Sequence, residues 1–228
     1  MKRTERLLLA GHPHYLVRKS PDNQPVFLDE ADCTYCLGLI RGLSVEYDLA
    51  IHAYCLLPNG LHILATPRKH PGDLSKFMKA LSCRTSLRRK NVHGRRSVWE
   101  VRYRASPIEP GQWLLTCMRY IEHLPVMHKL ASSAYHYRRS SYRMRLGKTG
   151  HYWLDDPEEY ARLGETIKER AEAYRLYMSN GLDTSEEQMI GTAVKSCKLI
   201  GSIRFAKEVY RKFGVLAVNR AAGRPRTY

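Results

Sequence analysis

The chain reads as an α+β protein: an antiparallel sheet with helices packed on it, followed by an all-α extension. Three observations lead there. Strand-like and helix-like stretches follow one another in the order β-α-β-β-α-β-α. Two β-rich runs meet at Pro58-Asn59-Gly60, a turn that closes a hairpin rather than a crossover. With 228 residues and 43% hydrophobic content, the chain can also bury one sizeable core.

The elements follow in order. "PHYLVRKS" (13–20) has strand composition and ends in the breaker-rich turn "SPDNQP". Asp29 and Asp32 open an amphipathic helix that reaches about Tyr47, because carboxylates favour the positive end of the helix dipole. "LAIHAYCLL" (49–57) and "LHILATP" (61–67) are the hairpin strands. "GDLSKFMKALSCRTSLRRKN" (72–91) is a helix with a cationic face, and "SVWEVRYRAS" (97–106) alternates as a strand. "PGQWLLTCMRYIEHL" (110–124) is a helix with Pro110 in its first turn. Beyond 150, one helix breaks near Gly164 and stops at Gly181. "TSEEQMIGTAVKSC" and "IGSIRFAKEVYRKFG" follow, the first capped by Thr184 or Ser185 with Glu187. Such a pair would suit a helix-turn-helix reader of DNA, although most short helix pairs only pack.

The formal net charge is +16, an excess that calls for a polyanionic partner, nucleic acid before membrane. Residues 1–154 carry a net +14, residues 155–194 a net −6, and residues 195–228 a net +8. With the glycines of "RLGKTGHYW", that change divides a core over 1–150 from a helical module with a basic tail over 151–228. No apolar run approaches the roughly 20 residues of a spanning helix. "LLLA" near the start is too short for a signal peptide, so a cytoplasmic, nucleoid-associated protein is expected, with no membrane partner. Nothing in the sequence sets the oligomeric state. The only CxxC, Cys33 and Cys36, has no second pair to complete a zinc site, and on a helix it reads as packing.

Two stretches concentrate the cations. Lys79 to Arg104 holds nine cations and one acid, and Tyr135 to Lys148 mixes tyrosines with arginines and holds no acid. Cations for phosphates and rings for unpaired bases suit single-stranded nucleic acid. The candidate DNA contacts are Arg88, Arg89, Arg95, Arg96, Arg102 and Arg104, then Arg138, Arg139 and Arg143. In "NRAAGRPRTY", Arg224 sits in a Gly-Arg-Pro core that either lies extended in the minor groove of A·T-rich duplex flanks or forms a plain basic tail.

The ordered blocks "GHPHYLVRKSPDNQPVFLDEADCTYCLGLI", "HAYCLLPNGLHILATP", "LSKFMKAL", "VWEVRYRAS" and "LLTCMRYIEHLPV" resemble the REP-associated tyrosine transposases, relatives of the smallest insertion-sequence transposases. "YRRSSYR" and "GSIRFAKEVYRKFG…GRPR" carry the resemblance over nearly the whole chain. It implies a ferredoxin-like or RRM-like core that cuts single-stranded DNA beside hairpins. It also implies a His-apolar-His strand that holds Mg2+ or Mn2+ on the scissile phosphate, and a tyrosine that becomes linked to the 5′ phosphate. By position, Tyr120 is the catalytic candidate and His62 the metal candidate. The family pattern has histidine where Gly60 stands and asparagine where Leu124 stands, and neither residue present can coordinate a cation. Tyr120 and Leu124 lie one helical turn apart on one face. His52, His123 or Asn59 could substitute only in a rebuilt site. If the geometry survives, Gly60→His with Leu124→Asn is expected to restore metal affinity.

Three readings follow. The favoured one, on the strength of Gly60 and Leu124, is a transposase-derived protein that binds hairpin or single-stranded DNA, with cleavage impaired or lost and no cofactor. The second is an active strand transferase using Tyr120 and a divalent ion. The third, an RNA-binding protein reusing an RRM-like sheet, lacks the RNP-type aromatic pattern.

Overall fold

The computed structural model describes residues 6–95 and 99–214. β1 (His14–Lys19), β2 (Leu49–Leu57), β3 (Gly60–Pro67) and β4 (Arg104–Pro107) form one antiparallel sheet in the order β2-β3-β1-β4. α1 (Glu30–Glu46) joins β1 to β2 and α2 (Asp73–His93) joins β3 to β4. This is the split β-α-β arrangement of ferredoxin-like folds, so the α+β class read from the sequence holds.

Strand alternation sorts side chains into two cores. Leu16, Tyr54, Leu56, Leu61 and Ile63 pack with α1 and α2, together with Cys33, Cys36 and Phe77. Burial pushes the Cys33 thiol up to about 11 and that of Cys36 further, as expected of packing cysteines. Tyr15, Val17, Cys55, Leu57 and Leu64 face the other way, beneath α3 (Gln112–Met127). Past α3 come α4 (Tyr142–Arg145), α5 (Glu158–Ala161), α6 (Ile167–Ser179), α7 (Thr184–Ser196) and α8 (Ile203–Phe213). Tyr160, Tyr174, Tyr177 and Ile190 from these helices bury in the same cluster as Trp113, Cys117 and Ile121 of α3. α3 is therefore held between the sheet and the helical extension. None of the described helices is long and apolar enough to cross a membrane.

Local chemistry moved several boundaries. Leu57 pairs with Gly60, so the hairpin loop is only Pro58 and Asn59, and Gly60 is already in the ladder. A bulge at His52 shifts the β2 register, and its ring contacts the Asp155 carbonyl (3.0 Å) and the Thr66 hydroxyl (2.8 Å). β4 covers Arg104–Pro107 rather than 97–106. Ahead of it Trp99 packs edge-on against Phe27 and donates to Thr85 Oγ1 (3.0 Å), so the ring is drawn onto α2 and out of the ladder. Gly111, at φ 97°, precedes α3, which leaves Pro110 outside the helix. α7 is capped by Asp183, whose carboxylate accepts the Ser185 N–H (2.7 Å), in place of the expected Thr184 or Ser185.

Candidate nucleic-acid cleft

The β1 register builds the floor of a cleft. His62 of β3 and Arg104 of β4 stand on either side of Val17, and Tyr15 and Lys19 point the same way as Val17. α3 lays Tyr120 and Leu124 over this floor, and α7 closes the side with Glu187, Gly191 and Lys195. The Tyr15 and Tyr120 rings meet edge-on at 6.0 Å. A Cβ on Gly191 would stand 3.3 Å from the Tyr120 hydroxyl, so α7 lies directly against that group. Tyr120 and His62, far apart in sequence, thus share one cleft.

Burial sets the state of both groups. Burial, then Glu187 and Cys117, push the Tyr120 hydroxyl up to about 12. His62 is 4% exposed, with Nδ1 2.8 Å from the Tyr15 hydroxyl and Nε2 buried without a partner. Burial, followed by the charges of Lys19, His128 and Arg104, holds its pKa well below the ordinary value.

The residues present do not fit Mg2+ or Mn2+, which prefer several oxygen ligands. Leu124 is buried in the apolar cluster. A Cβ on Gly60 would meet the Arg18 carbonyl oxygen at 2.9 Å and Lys19 Cγ at 3.3 Å. These contacts oppose the expectation that Gly60→His with Leu124→Asn restores the site, because the neighbouring strand crowds the place of the missing side chain. The substitutes fail as well. His52 uses both ring nitrogens elsewhere, Asn59 Nδ2 donates to Asn23 Oδ1 (2.8 Å), and His123 lines a separate groove with Tyr142 and Met178. Asp29, Asp32 and His93 do offer ligand atoms within 4.8 Å of one another, on the α1–α2 side. There Asp32 already accepts from Leu28 N–H (3.0 Å), Arg88 Nε (2.8 Å) and His93 Nε2 (3.0 Å). Burial opposes its ionisation, but these donors outweigh burial and hold the carboxyl below its ordinary value.

The predicted DNA contacts fall into distinct places. Arg104 lines the cleft and pairs with Glu100 at 3.2 Å. Arg95, Arg102 and Arg138 are exposed, and Arg143 lies over the Tyr135 ring at 5.1 Å. Arg88 and Arg89 are engaged internally, which corrects their assignment as open phosphate contacts, whereas Arg139 meets a carboxylate at the surface. Arg88 is bound to Asp32, buried Arg89 donates to the Pro25 (3.0 Å) and Val26 (2.9 Å) carbonyls, and Arg139 pairs with Glu30 at 2.9 Å. Arg96, Arg224 and the stretch 219–228 lie outside the described residues. Sequence reasoning missed Lys19 and Lys195, which line the cleft, and the buried pair Glu122 and Arg145. For Glu122 the available signal was a carboxylate within the apolar run of α3.

Three buried histidines make stability depend on pH. Burial lowers His14 to about 3, His52 to about 4, and His62 well below its ordinary value. Unfolded, each titrates near about 6.5. Between those values the unfolded chain binds more protons, so their contribution is complete above about pH 6.5 and is lost as pH falls toward the folded values. The expected slope is up to about 1.4 kcal/mol per pH unit for each histidine. Urea midpoints from pH 7 to pH 4 measure it, and a flat profile would mean that these rings take up protons alike in the folded and unfolded chain.

No protein-family profile matches the chain, and no curated protein matches it in sequence. In structure it is similar to a REP-associated tyrosine transposase solved bound to a REP hairpin, with TM-score 0.56 and 16% identity over 68% of this chain and 93% of that one. A crystallised Deinococcus radiodurans protein provisionally assigned as a transposase aligns at TM-score 0.34 and 16% identity, over 57% of this chain and 91% of its own, a likeness too slight to build on. The chain has the fold of a REP-associated tyrosine transposase.

Proposed function

We propose that this chain is a transposase-derived DNA-binding protein that recognises hairpin or structured single-stranded DNA and has lost the cleavage chemistry. The observation that carries this reading is the seat of Gly60, where a metal-ligating side chain would collide with the Arg18 carbonyl. The similar transposase was solved with a REP hairpin, which makes a hairpin the partner to test. An RNA reader of RRM type would stack bases on the open sheet face. Here that face is buried under α3, which disfavours the RNA reading.

A gel shift on hairpins with single-stranded flanks, run beside a nicking assay with Mg2+ or Mn2+, tests the proposal. The expected result is a shift that weakens steeply with salt, with no nicked product. Tyr120→Phe should bind within about twofold of the parent, since one neutral hydroxyl adds little beside the cations that meet the phosphates. A covalent adduct that disappears in Tyr120→Phe would show that the chemistry persists.

A further inference from the structure

The cleft that fails as a metal site has the features of an anion site. Nδ1 of His62 and the Tyr15 hydroxyl share one hydrogen bond (2.8 Å) inside the core. If His62 donated, both the tyrosine proton and the Nε2 lone pair would be left unsatisfied. If Tyr15 donates, only one group is unsatisfied, an Nε2–H on a ring that lines the cleft, so this tautomer is favoured. An N–H group cannot coordinate a cation, but it can donate to an oxyanion.

The surrounding charges point the same way. Lys19 packs beside Gly60, with its Cγ 3.3 Å from where a Cβ would stand. Arg104 and Lys195 line the same cleft, and His128 lies at its edge. Against them stand Glu187 and Glu100, the second paired with Arg104 at 3.2 Å. Burial, then Arg104, lower the Lys19 ammonium, with Lys195 adding to the effect and Glu100 opposing it. A bound anion would relieve that repulsion.

We propose that this cleft is a metal-independent site for a phosphate oxyanion, in which Lys19, Arg104 and Lys195 supply the charge and His62 Nε2–H donates to a phosphate oxygen. That the oxyanion is a phosphodiester of DNA rests on the function proposed above. The charge that a divalent ion would bring comes instead from side chains of three separate elements.

Full-length protein labelled with 15N-histidine separates the two claims. Inorganic phosphate should shift the His62 Nε2–H resonance, and the shift should be lost in Lys19→Gln and reduced in Lys195→Gln, an exposed position where folding is not at risk. No response to phosphate, an equal response in both variants, or broadening of His62 by stoichiometric Mn2+ would overturn the site. Hairpin DNA supplies the second arm. Each variant should weaken hairpin binding about fivefold to tenfold and lower the salt slope by about one. Replacing Mg2+ with EDTA at matched ionic strength should leave affinity unchanged. Hairpin binding that is undiminished in both variants would overturn the proposal and place the DNA elsewhere. A parent that ignores hairpins while phosphate still shifts His62 would overturn the DNA reading and uphold the site.

Discussion

Arg145→Met is expected to destabilise the protein by about 3–5 kcal/mol, because it leaves a buried carboxylate without its counter-charge. Arg145 and Glu122 are both 0% exposed, with Arg145 Nε 3.9 Å from Glu122 Oε1. The guanidinium also donates to Asp156 (3.0 Å) and to the His52 carbonyl, and it lies 4.3 Å from the Tyr160 ring. Glu122 in turn accepts from the Ser141 (2.5 Å) and Tyr174 (2.8 Å) hydroxyls. The network therefore ties α3 to α4, α6 and the β2 bulge. Burial raises the Glu122 carboxyl, while Arg145, Ser141 and Tyr174 oppose that rise. Without Arg145 the group would take up a proton, which limits the loss but does not remove it. Glu122→Gln should be milder, at about 1–3 kcal/mol, because Asp156 still answers the arginine. Urea unfolding of both variants checks the order. A loss below about 1 kcal/mol in Arg145→Met would mean that Glu122 is already neutral in the fold.

Which parts were legible in the sequence follows from how local their causes are. The α1 carboxylate cap, the Pro58-Asn59 hairpin and the alternation along β1 act within a few residues, and the structure keeps them. β4 was misjudged in length because Trp99 is placed by Phe27 and Thr85, which lie in other elements. The cationic run around Arg88 and Arg89 looked like an open face because its partners, Asp32 and the Pro25 and Val26 carbonyls, come from the other side of the sequence. The meeting of Tyr120 with His62 was suggested by the resemblance, and the structure places both in one cleft. Lys19 gave no sign of its place there, since its position depends on the absent side chain of Gly60 on the neighbouring strand. The clash that bars a histidine at position 60 is equally invisible in sequence, because its main partner is a backbone carbonyl.

Gly60→His is expected to lower stability by about 1–3 kcal/mol and to gain no tight Mn2+ affinity. The new Cβ would sit 2.9 Å from the Arg18 carbonyl oxygen, closer than a carbon and an oxygen can rest. That oxygen cannot easily retreat, because Arg18 is paired with Leu61 in the β1–β3 ladder. Moving it would strain that ladder, in which the neighbouring Val17 pairs with His62. Adding Leu124→Asn would bring an amide into the apolar cluster under α3 and cost about a further 1–3 kcal/mol if its hydrogen bonds go unmet. Lys19→Ala in the same background would relieve the 3.3 Å contact with Cγ but leave the 2.9 Å contact with the backbone. Urea unfolding and Mn2+-induced broadening of the His62 resonance, measured on all three variants, distinguish the possibilities. Tight Mn2+ binding at undiminished stability in Gly60→His/Leu124→Asn would show that β1 yields and that the metal pocket survives. The expected pattern is falling stability and no broadening, because the obstacle is main chain held in the β1–β3 ladder and a side-chain change alone does not move it.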